Sequence, residues 1–65
     1  MTDQERLESF EAVLADLQAE QAAVEATMDE LRAKGRIKSA TYQQLMARKL
    51  TLKTLAGMFE RHGLL

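Results

Sequence analysis

The chain has 65 residues, no cysteine, no proline and a formal net charge of −1. Disulfides and thiolate metal sites are therefore excluded, and a single histidine is too few to anchor zinc unaided. A near-neutral balance with only two Phe, one Tyr and no Trp also argues against a protein built chiefly to bind nucleic acid.

A chain this short buries too little surface to be comfortably stable alone, and it ordinarily relies on disulfides, a metal or a partner chain. With the first two removed, self-association is the expected route. No stretch approaches the ~18–20 apolar residues that span a bilayer. Residues 1–15 are acidic and lack the basic start and apolar run of a secretory signal. The expectation is a soluble cytoplasmic chain with no cofactor and no membrane association. Ala, Leu, Glu, Gln and Lys dominate, which favours helix almost throughout. The predicted fold class is all-α: one domain over 1–65, an antiparallel two-helix hairpin that dimerises into a four-helix bundle.

Helix 1 is expected over about 3–34, a rod of about 48 Å. Thr2-Asp3-Gln4-Glu5 reads as a capping box, with Thr2 as N-cap and Glu5 reaching back. Asp3, Glu5 and Glu8 place negative charge where the helix dipole favours it. The large apolar residues keep a 3-4 spacing through Leu7, Phe10, Leu14, Leu17, Val24, Met28 and Leu31, interrupted only by Gln21. A second stripe, Ala12, Ala15, Ala19, Ala22 and Ala26, falls on nearly the opposite side. Small side chains there would let another helix approach closely, so the stripe is a candidate oligomer interface. The alternative is that Ala is simply the best helix former on an exposed face.

The bend is expected at 35–40. Gly35 suits the left-handed position that ends a helix, and Arg32 and Lys34 sit in the preceding turn, where the dipole favours cations. Thr41 is the first choice as N-cap of the next helix, with Gln44 completing a box, and Ser39 is the second. Ile37 is expected to fold back over Leu31 or Tyr42.

Helix 2 is expected over about 41–62, ended by Gly63 with Leu64 packing on Phe59. Leu45, Leu52, Leu55, Ala56 and Phe59 form one seam; Tyr42, Met46 and Leu50 form a second, about 100° away. Two seams suggest two neighbours, one of them from another chain. The predicted intrachain core is thus Leu14, Leu17, Val24, Met28, Leu31, Leu45, Leu52, Leu55 and Phe59. Tyr42, Met46 and Leu50 join the alanines as the candidate interface. Leu7 and Phe10 should overhang the shorter second helix. Gly57 marks either a close helix approach or a weak point.

Charge separates along the chain. Residues 1–31 hold nine acidic residues and one basic, net −8; residues 32–65 hold eight basic and one acidic, net +7. An antiparallel hairpin lays these halves side by side, which favours that pairing over like with like. A single unbroken helix is the rival architecture. It would place Gly35 and Lys38 at consecutive core positions.

No catalytic constellation is visible. His62 lies in a last turn, where it suits the helix dipole, and Ser9 and Ser39 stand in no nucleophile motif. Asp16 and Glu20 are one turn apart but have no third ligand type beside them. The most specific hint is the alternation Arg32, Lys34, Arg36, Lys38 leading into Ser39 and Thr41, which could hold phosphate or an RNA backbone. The leading expectation is a non-enzymatic structural or protein-interaction module that self-associates, a dimer being favoured. The alternative is a small dimeric nucleic-acid-binding regulator using the bend.

Overall fold

The computed structural model describes residues 1–65 as two α-helices packed against each other, α1 (Asp3–Ala33) and α2 (Ala40–Arg61). The hairpin measures 49 × 20 × 15 Å. The unbroken helix is thereby set aside. The chain reverses at Lys34–Ser39, with Gly35 at φ +69°.

Both helices end in the same way. After α1, Gly35 N–H donates to Arg32 O and Arg36 N–H to Leu31 O, at 3.0 and 2.8 Å. After α2, Gly63 N–H donates to Glu60 O and Leu64 N–H to Phe59 O, at 3.0 and 2.9 Å. These are paired Schellman bonds, which satisfy carbonyls that a helix end leaves open. Gly63, at φ +71°, accepts the left-handed conformation that a Cβ would strain.

The starts differ from each other. Thr2 Oγ1 accepts from Glu5 N–H at 3.1 Å, and Thr2 N–H donates to Glu5 Oε1 at 2.9 Å, completing the box. At α2 the cap is Ser39, whose Oγ accepts from Tyr42 N–H at 3.1 Å. Thr41 is instead already inside the helix. Ser39 wins because its hydroxyl also donates to Arg36 O at 2.8 Å, a bond available only from within the bend.

Leu14, Leu17, Val24, Met28, Tyr42, Leu52 and Ala56 are buried, Met28 and Leu52 most deeply. Leu31, Leu45, Met46 and Phe59 are half-buried and pack against this core. Three expectations need correction. Leu55, assigned to the core, is 42% exposed, because Ala56 and Leu52 face α1 and turn Leu55 to the flank. Tyr42, assigned to an interface, is buried within the hairpin, its hydroxyl accepting from Arg32 Nη2 at 3.3 Å. Phe10 does not overhang: its ring meets Phe59 edge to face. Leu7 does stay exposed, and so does Ile37. No helix is long and apolar enough to cross a membrane.

Candidate functional site

The basic bend is shaped by its own helix ends. Arg32 Nη1 binds Asp29 Oδ1 at 2.8 Å, and Lys34 Nζ binds Glu30 Oε1 at 3.1 Å. The hydrogen bond to Tyr42, and behind it Asp29, push the Arg32 guanidinium further toward its charged form. Arg32 therefore ties the last turn of α1 to the first turn of α2. Ser39 is occupied as a cap and as a donor. Thr41 is exposed and lies on the helix beyond it. Gln43 Nε2 donates to Ile37 O at 3.1 Å and closes the loop. Of the four cations in the alternation, Arg36 and Lys38 alone make no intramolecular ion pair.

Two further ion pairs cross between the helices, one on each side of the seam. Arg48 Nε binds Glu20 Oε1 at 2.7 Å. Lys49 Nζ binds Glu25 Oε1 at 2.9 Å. Glu20 and Glu25 are five residues apart on α1, about 140° around the helix, so the pairs mark opposite broad faces. Sequence reasoning placed acid beside base in bulk but missed these partners. The signal was available in the spacing, since each pair flanks the buried Val24–Leu52 stretch.

The face of Glu25 and Lys49 is an open polar groove, lined by Gln21, Val24, Glu25, Lys49, Leu52 and Lys53. The Lys stems cover apolar surface there while their heads stay in water. A second, more open hollow lies at the N-terminus among Asp3, Arg6, Leu7 and Phe10. Asp16 and Glu20 meet no further Asp, Glu or His that would make a group of three.

The candidate interface residues divide. Ala12, Ala15, Ala19, Ala22 and Ala26 are all exposed, on the side of α1 turned away from α2. Leu50 is exposed at 56%, Met46 is half-buried and Tyr42 is inside. Val13, which the sequence pattern passed over, is 55% exposed. Its branched side chain stands just off the Phe10–Leu14–Leu17 stripe.

Set against protein-family models, curated proteins and solved structures, the chain matches none of them.

Proposed function

We propose that this protein is a non-enzymatic structural or interaction module, a helical hairpin that self-associates into a four-helix bundle. The observation that carries this reading is the apolar surface left over by the hairpin. Leu7, Val13, Leu50, Leu55 and Met58 are each between 42% and 56% exposed, while only 7 of 65 residues are buried. A core of that size gives little stability to a lone chain, and a second copy would enlarge it. Thermal unfolding across a wide concentration range tests this. A dimer melts at higher temperature as concentration rises, because association stabilises only the folded state. A midpoint independent of concentration contradicts the proposal.

A second reading rests on Arg36 and Lys38, which carry no intramolecular carboxylate and stand together on the bend. They would grip phosphate in a small nucleic-acid-binding regulator. Such binding is steeply salt-dependent. A gel shift at low salt, abolished by Arg36→Ala with Lys38→Ala, would support it; no shift at low salt would dismiss it.

A further inference from the structure

The hairpin is a slab, 49 × 20 × 15 Å, whose two broad faces each show both helices side by side. Steps of seven residues keep to one side of a helix, drifting by only about 20°. Val13 lies seven residues before Glu20, and Leu55 seven after Arg48. Because α1 and α2 run antiparallel, both steps lead from the Glu20–Arg48 pair toward the open end. Val13 and Leu55 thus share one face at about one height, 55% and 42% exposed. Thr27 follows Glu20 by the same seven-residue step, and Ser9, Gln44 and Thr51 lie about a turn from Val13, Arg48 and Leu55 on that face; Asp16, one turn before Glu20, is the charged residue there with no ion-pair partner. Glu20 and Arg48 neutralise each other. The other broad face is different. It carries Lys49, Glu25 and Lys53, and Lys53 has no ion-pair partner.

We propose that the Val13–Leu55 face receives the same face of a second copy, with the twofold axis parallel to the helices. This rests on the self-association proposed above and specifies it. Two face-to-face arrangements of a C2 dimer keep the helices aligned. With the axis along the helices, α1 of each copy lies on α2 of the other. With the axis across them, like helix lies on like helix. The halves of the chain carry −8 and +7, so the first arrangement sets opposite charges together and the second opposes like charges. The first also brings both Glu20–Arg48 pairs to one height, in a ring where each carboxylate neighbours two guanidiniums. The second, centred on the same pairs, sets Glu20 against Glu20 and Arg48 against Arg48. The area suffices: a 49 by 20 Å face projects about 1,000 Å², against the ~800 Å² per partner of a standard interface.

The test uses the full chain. Sedimentation of Leu55→Lys is expected to give the mass of one chain at concentrations where the parent is a dimer, with helix content unchanged by circular dichroism. Leu50→Lys, off this face, should stay dimeric. A Leu55→Lys variant that remains a dimer overturns the face. The axis is read separately. The chain has no cysteine, so Ile37→Cys carries a single nitroxide at the bend. An axis along the helices puts both bends at one end, and the two spins well under half the 49 Å length apart. A separation near that full length overturns the orientation. A parent chain that is monomeric throughout overturns self-association itself, a result distinct from a dimer indifferent to Leu55.

Discussion

The rings of Phe10 and Phe59 meet edge to face, their centroids 5.8 Å apart and their planes at 70°. This contact closes the open end of the hairpin, opposite the bend, and it joins the second turn of α1 to the last turn of α2. Aromatic pairs of this geometry contribute about 0.5–1.5 kcal/mol beyond their area. Phe59→Leu keeps an apolar side chain and loses the pair. It should lower stability by about that amount and speed amide exchange in residues 3–9, leaving the bend unchanged. Equal acceleration at both ends would show that the rings are not a local clasp.

Leu52 and Leu50 are two residues apart in α2 yet differ in surroundings, 2% against 56% exposed. Leu52→Ala should cost roughly 2–5 kcal/mol, enough to unfold most of a domain this small. Leu50→Ala should cost no more than about 0.5 kcal/mol, as surface changes usually do. Urea titration of both variants checks the pair, and similar losses would mean the burial pattern is wrong.

A methyl group added at Gly57 would meet nothing closer than Arg61 Nη1 at 3.9 Å, the far end of a flexible side chain. Gly57 is therefore a weak point of the helix and no close approach within the hairpin. Gly57→Ala should raise stability by about 0.5–1 kcal/mol and leave the proposed dimer unaffected, since this position lies off the Val13–Leu55 face. A loss of assembly in Gly57→Ala would place the dimer contact on the other side of α2.

The capping box makes stability depend on acid. The bond from Thr2 N–H, and then the one with the Thr2 side chain, hold the Glu5 carboxyl below its ordinary value of 4.5. A lowered folded-state value contributes stability that is present above the unfolded value and lost as pH falls through the folded one. Glu5→Gln keeps a box-forming side chain without the charge. The parent should therefore melt above Glu5→Gln at pH 7, and the gap should close as pH falls below about 4.5. A gap that does not narrow as pH falls would mean the charge is not its source.

Much of this fold was legible in the sequence, because helix periodicity, Gly35 and Gly63 are local signals. The Thr2–Glu5 box and both Schellman ends follow from three or four neighbouring residues each. The choice of Ser39 over Thr41 was not legible. It turns on a bond to Arg36 O that exists only once the bend has formed. Tyr42 and Leu55 were exchanged between core and surface for a related reason. A helical wheel gives angles but no direction to the neighbour; Leu52 and Ala56 of the seam are buried, and the contact is turned from Leu55 toward Tyr42. The cross-helix partners Glu20–Arg48 and Glu25–Lys49 are not visible in composition, but follow from spacing once Val24 is set level with Leu52. Leu50 and the alanines are exposed, and so is Val13, which the periodic pattern of large residues passed over.

Sedimentation equilibrium of the unmodified chain from micromolar to millimolar concentration decides whether the hairpin pairs with itself. A reversible shift from one chain of 7.3 kDa to twice that mass is expected as concentration rises. A folded, helical species that holds the mass of a single chain across the whole range would contradict it.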